Sequence, residues 1–248
     1  MPETPPQDSR VAIVTGAAGF IGSAVARRLG ADGMSVVVNY VGKTERAEEV
    51  AQQIILAGGT ATSVKGDVAD EKNISSLFDE AEGIYGGVDV CVNCAGIGPL
   101  CALVDLDLDD FDRIIRTNLR GTFVVSQQAA RRVRAGGAII NFSSLAVKRA
   151  LPTYSAYCAS KAGVEAITMI LAKELRGRNI TVNAVAPGPV ETPLFFQGKS
   201  QEVIDQVRTA SAMGRLGQPE DIAEVVSFLA GHGRWVNGQV IHADGGLT

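Results

Sequence analysis

Seven short apolar runs alternate with longer segments of helical period along nearly all of this 248-residue chain. The runs predict strands over 10–15, 35–40, 60–65, 88–93, 138–142, 181–186 and 239–242. Between them, the spacing predicts helices over 19–31, 43–57, 71–85, 109–133, 154–176 and 219–230. Runs such as Val36-Val37-Val38 carry no polar face, as expected of strands covered by helices on both sides. The pattern therefore points to one doubly wound α/β domain over 10–248, with a seven-stranded parallel sheet. The pairs Gly58-Gly59, Gly86-Gly87 and Gly136-Gly137 each fall between a predicted helix and the next strand, where a left-handed stop is needed.

The first strand leads directly into Thr15-Gly16-Ala17-Ala18-Gly19-Phe20-Ile21-Gly22 and then a helix. Small residues there let backbone N–H groups approach a pyrophosphate, whose charge a helix N-terminus favours. In this strand–turn–helix setting the string reads as a dinucleotide site of Rossmann type. An acid at the end of the second strand would accept the adenosine ribose hydroxyls of NAD and repel a 2′-phosphate. Here the strand ends in Asn39 and Tyr40, with Lys43 close by and no acid, so NADP(H) is favoured and NAD(H) is the alternative. Lys43 either meets that phosphate or simply opens the next helix.

Tyr157 and Lys161 stand one helical turn apart, and Ser144 follows the fifth predicted strand. Residues four apart share a helix face, so an ammonium can approach the phenol oxygen. At ~5 Å and an effective dielectric of ~20 their attraction is roughly 3 kcal/mol, enough to draw a phenol well below its usual range. Such a phenol can serve as a general acid or base on a carbonyl oxygen.

Several function classes are excluded. No apolar run approaches the length of a membrane span, and a net charge of -4 offers no attraction to nucleic acid. The leader 1–9 is Pro-rich and polar, which predicts a disordered tail without an export signal and a cytoplasmic protein. Four Cys then read as reduced thiols, with Cys91 and Cys94 as strand residues and no metal expected. The cluster Arg131, Arg132 and Arg134 reads as helix-end charge, with a docking patch for an acidic carrier protein as the alternative. Likewise, the run from Asp105 to Asp112 reads as a charged helix start. No Gly-x-Ser-x-Gly elbow is present, which argues against a hydrolase.

Taken with Asp67-Val68, Asn93-Cys94-Ala95-Gly96, Asn118, Ser143-Ser144, Pro187-Gly188 and Thr192, these features resemble the ordinary, single-domain branch of the short-chain dehydrogenases/reductases. The resemblance covers nearly everything from Val11 onward. The stretch from Gly214 to Asp221 and the closing Asp244-Gly245-Gly246 most resemble 3-oxoacyl carrier-protein reductases and their sugar- and alcohol-oxidising relatives. The resemblance implies that Ser144 bonds the substrate oxygen, that Tyr157 is the acid or base, and that Lys161 holds the nicotinamide ribose. Asn118 would anchor a water behind Lys161, and Asp67 would meet the adenine, with Val68 beside it. Asn93, Ala95 and Gly96 would flank the ribose. Pro187, Gly188, Val190 and Thr192 would close over the nicotinamide amide.

The expected activity is ketone–alcohol interconversion on a small-molecule substrate, foremost a 3-oxoacyl thioester, with a sugar or polyol as the alternative. The segments 145–151 and 194–197 would line the pocket. The resemblance also implies a homotetramer built on the helices over 109–133 and 154–176. A catalytically silent dinucleotide sensor would show a broken Asn-Ser-Tyr-Lys set, and here all four are present. One departure stands out. Phe20 occupies the place of the branch's second glycine, as in the extended branch, whose larger substrate domain would not fit in the chain after Tyr157.

Overall fold

In the computed structural model, which describes residues 9–98, 100–196 and 198–248, seven parallel strands form one sheet in the order β3-β2-β1-β4-β5-β6-β7. They are β1 (Val11–Thr15), β2 (Ser35–Tyr40), β3 (Thr60–Lys65), β4 (Val88–Asn93), β5 (Val133–Phe142), β6 (Thr181–Pro187) and β7 (Val240–Ala243). The helices are α1 (Phe20–Ala31), α2 (Thr44–Leu56), α3 (Glu71–Tyr85), α4 (Leu108–Ile114), α5 (Gly121–Arg132), α6 (Ala146–Arg149), α7 (Ser155–Glu174), α8 (Pro193–Phe196), α9 (Gln201–Ala210) and α10 (Pro219–Ala230). The predicted leader 1–9 falls outside the described residues except for Ser9.

Alternate strand residues face opposite ways and feed two separate cores. Val36 and Val38 pack with Leu29, Ile54, Val226 and Leu229 under α1, α2 and α10. Val37, between them, packs with Leu77, Phe78, Val125 and Ala172 under α3, α5 and α7. The continuous apolar runs in the sequence reflect this burial on both faces. Strand order reverses between β1 and β4, and at such a switch point the carboxyl ends of the strands open a crevice for ligands.

Two expectations are corrected. The segment 109–133 is not one helix: α4 passes into a six-residue π-helical segment, Ile115–Arg120, before α5 begins. The π segment carries Asn118 with its side chain fully buried. β5 begins at Val133, so Gly136-Gly137 lies inside the strand instead of preceding it. The β4–β5 register shifts between Val88 and Val90, opposite this irregular stretch. Gly136 has φ 87°, and a Cβ on Gly137 would lie 2.3 Å from the Asp89 carbonyl oxygen. Gly86 does end α3 in the left-handed conformation, donating to Glu82 O at 2.8 Å. Asp107 caps α4 by accepting from Asp109 N, as the acidic run led us to expect.

Candidate active site

The turn after β1 is built on two close approaches. Gly16 has φ 63°, and a Cβ there would lie 2.8 Å from Ala95 Cα. A Cβ on Gly22 would lie 2.4 Å from the Gly16 carbonyl oxygen, so the first turn of α1 rests directly on the loop. Gly19 caps the helix in an extended conformation and donates to Gly16 O at 2.9 Å. Phe20 opens α1 with its ring exposed, while Ile21 packs toward the core. Phe20 thus takes no close-approach position, and the two that need glycine retain it. Such a backbone cradle fits a dinucleotide pyrophosphate at the N-terminus of α1.

Asn39 is buried, and its amide donates to Val64 O at 3.2 Å and Gly66 O at 3.1 Å. Its own carbonyl accepts from Ala17 N at 3.1 Å, tying the turn to β2. Tyr40 is buried beside it, and its carbonyl accepts from Gly66 N. Lys43 is exposed at the start of α2. A residue missed in the sequence, Arg46, lies over the Phe20 ring, 4.2 Å from guanidinium carbon to centroid. Asp67 pairs with Arg116 at 2.8 Å and accepts from Ala69 N at 2.9 Å. Val68 packs so closely that a Cβ on Gly121 would lie 2.6 Å from its side chain. Nothing local in the sequence joins Arg46 to Phe20 or Arg116 to Asp67; each contact is made by the fold.

Asn93 ends β4, fully enclosed, donating to Asn141 Oδ1 at 2.7 Å and Ser126 Oγ at 3.2 Å. Its Oδ1 has no partner among the described residues. Ala95 N bonds Thr15 Oγ1 at 3.3 Å. Gly96 borders both Asn118 Oδ1 and Lys161 Nζ, each 3.4 Å from where its Cβ would stand. Gly98, also missed, leaves room for the Tyr157 ring, 3.1 Å from its would-be Cβ. Asn118 accepts from Ile97 N and donates to Ile97 O, both at 2.8 Å, and donates to Ser160 Oγ at 3.1 Å. Ser160 in turn donates to Tyr157 O. On the far wall, Gly188 N bonds Ala243 O after Pro187, and a Cβ on Gly188 would lie 2.6 Å from Asp244 Cα. Val190 is buried in a bridge to Gly217, and Thr192 Oγ1 accepts from Phe195 N at the start of α8. Of the predicted pocket segments, 145–151 forms α6 and its flanks. Gln197 and the Leu194 side chain lie outside the described residues. Ala150 and Thr153 adopt φ 46° and 72°, a strained loop beside the site.

The electrostatics depart from expectation. Lys161 is 4% exposed and donates to Phe142 O at 2.8 Å, with its ammonium 5.8 Å from the Tyr157 ring centroid. Tyr157 is partly exposed, but dense surroundings push its phenol up to about 12. Burial is the main cause, and the Ser144 hydroxyl nearby opposes it. Burial also pulls Lys161 down to about 8. Desolvation disfavours both charged forms, and neither group shifts the other. Cys91 and Cys94 are likewise pushed up to about 12 by burial.

The Lys161 shift has a measurable sign. Between about 8 and its ordinary 10.5 the unfolded chain binds more protons at this position than the folded one, so stability rises with pH in that window. Relative to Lys161→Met, the wild type should gain about 2 kcal/mol between pH 7.5 and 9.5. Urea unfolding of both proteins without added cofactor checks this; a constant difference would contradict it.

Comparison with known proteins decides the family. A family model described as enoyl-(acyl carrier protein) reductase matches residues 16–248. The chain is 44% identical to a short-chain type dehydrogenase/reductase of Picea abies, over 96% of this chain and 92% of that one. The chain belongs to the short-chain dehydrogenase/reductase family. It is also 44% identical to NADPH-dependent aldehyde reductase 2, chloroplastic, of Arabidopsis thaliana, over 96% and 93% of the two chains. A crystal structure of a short chain dehydrogenase from Burkholderia cenocepacia in complex with NADP superposes with a TM-score of 0.90 at 36% identity, covering 99% of each chain. The observed strand order is thus shared with its relatives. Among the described residues, no helix is long and apolar enough to cross a membrane.

Proposed function

We propose that this member of the family is an NADP(H)-dependent reductase of aldehyde or ketone carbonyls, acting through one domain over 10–248. The observation that carries the reading is the placement of the Ser144 and Tyr157 hydroxyls near buried Lys161, at the carboxyl ends of the central strands where the glycine turn after β1 packs on Ala95. When bound, NADPH supplies the hydride. Ser144 orients the carbonyl oxygen, and Tyr157, protonated at neutral pH, donates its proton as negative charge develops there. Burial keeps the phenol protonated at neutral pH, the form that carbonyl reduction uses. Lys161 would hold the cofactor ribose, with Gly96 bordering both it and Asn118.

The 2′-phosphate is assigned to Arg46, steered by Phe20, with Lys43 nearby. The sequence offers Lys43 either as a contact to that phosphate or as the start of the next helix, and Arg46 is the residue added here. Arg46→Ala should weaken binding of 2′,5′-ADP about tenfold and leave 5′-AMP unchanged, as read by calorimetry. Equal binding of 2′,5′-ADP by both proteins would contradict the assignment.

A 3-oxoacyl thioester is the second reading, favoured by exposed Lys148 at the end of α6. The other basic cluster lends it no support. Arg132 pairs with Asp79 and Glu82, and Arg134 pairs with Asp89. A turnover screen of NADPH and NADH against aldehydes, diketones, aldoses and acetoacetyl thioesters tests both readings. Reduction with NADPH supports the proposal, and failure with every carbonyl overturns it. A homotetramer is part of the proposal, supported by the exposed apolar groups Phe123 on α5 and Met169 and Ile170 on α7. The cytoplasm is its proposed compartment, in keeping with four free thiols.

A further inference from the structure

Two successive turns of α7 grip the end of β5. Lys161 Nζ holds the Phe142 carbonyl at 2.8 Å, and one turn later the Glu165 carboxylate accepts a 2.6 Å hydrogen bond from the Ser143 hydroxyl. Phe142 and Ser143 directly precede Ser144. The same segment is fixed from β6 by Ser143 N to Val185 O at 2.8 Å and Leu145 N to Pro187 O at 3.0 Å. Backbone bonds to β6 set the strand end against the sheet, but they do not relate it to α7, which carries Tyr157. Among the described residues the two grips do that at Phe142 and Ser143, and Asn141, just before them, adds a bond from its side-chain amide to Thr168 Oγ1 of α7 at 2.9 Å.

The grips differ in duty. Lys161 spends one of its three N–H donors on Phe142 and keeps the others for a cofactor ribose. The proposed mechanism gives Glu165 no such second duty. Ser143 is 3% exposed, so its hydroxyl has no water to exchange for the carboxylate, and a short O–H···O⁻ bond is among the stronger hydrogen bonds.

We infer that Glu165 is a positioning residue: its carboxylate, acting through the Ser143 hydroxyl, holds Ser144 against the Tyr157 hydroxyl. Glu165 lies two turns after Tyr157 on the same helix, so the bond links the strand end bearing one hydroxyl to the helix bearing the other. The inference rests on the proposed roles of Ser144 and Tyr157, and no part of it requires Glu165 to touch substrate or cofactor.

The test compares wild type, Glu165→Ala, Glu165→Gln, Ser143→Ala and the Ser143→Ala/Glu165→Ala double variant. Measurements are kcat for a carbonyl found in the screen, the NADPH Kd and the thermal midpoint. Glu165→Ala should lower kcat about 10- to 100-fold with the NADPH Kd within about twofold, since a misplacement of about 1 Å costs rate before it costs binding. Ser143→Ala should do the same, and the double variant should be no worse than either single one, because all three break one link. Glu165→Gln, whose amide oxygen can accept the same bond, should recover kcat to within about threefold of wild type.

If Glu165→Ala does not fold, Ser143→Ala and Glu165→Gln carry the test. Wild-type kcat in Ser143→Ala would overturn the inference, as would a kcat loss matched by an equal loss of NADPH affinity, or a Gln variant as slow as the Ala variant. A wild-type protein that binds NADPH yet reduces no carbonyl would instead overturn the parent reading.

Discussion

Tyr157→Phe should lower kcat for carbonyl reduction about 10³-fold while leaving the NADPH Kd within about twofold. Positioned general acids contribute roughly 10²- to 10⁴-fold, and the ring itself, packed against Gly98, is retained in the variant. The loss should fall on kcat because proton donation matters only as charge develops on the substrate oxygen. Stopped-flow turnover and calorimetric titration with NADPH separate the two quantities. A variant that keeps ordinary turnover would remove Tyr157 from the mechanism, and one that loses NADPH binding would make it a cofactor ligand first.

Gly22→Ala is expected to damage both stability and cofactor binding. Helix propensity alone predicts a gain of ~1 kcal/mol for Ala inside α1. The contact predicts the opposite: the new methyl would stand 2.4 Å from the Gly16 carbonyl oxygen, a backbone atom that cannot turn away. Overpacking of this kind costs about 3 kcal/mol where the neighbour is rigid. The contact should win, and the turn should open. NADPH affinity should fall at least ~100-fold, because the N–H groups of the loop would no longer converge on the pyrophosphate. Urea unfolding and calorimetry read the two effects, and wild-type stability in Gly22→Ala would contradict the close packing of loop on helix.

Much of this was legible before any coordinates. Strands such as Ser35–Tyr40 and Val88–Asn93 announced themselves because burial on both faces forces an unbroken apolar run. The Tyr157–Lys161 spacing and the glycine turn were legible for the same reason: each is local, and geometry follows directly from sequence separation. What escaped was tertiary. The π segment at Ile115–Arg120 hides because one extra residue in a turn barely disturbs an apolar period. Arg46 meets Phe20, and Glu165 meets Ser143, only after helices settle on the sheet. The phenol's titration was misjudged because spacing reports proximity, whereas burial, which here dominates, is a property of the whole fold.

The most direct test of the central claim follows an isotope. NADPH carrying deuterium at both C4 positions of the nicotinamide, supplied with the best carbonyl from the screen, should yield alcohol with one deuterium on the carbinol carbon. The label should appear about 10³-fold more slowly with Tyr157→Phe. Alcohol formed without the label, or labelled alcohol formed equally fast by wild type and Tyr157→Phe, would contradict the account.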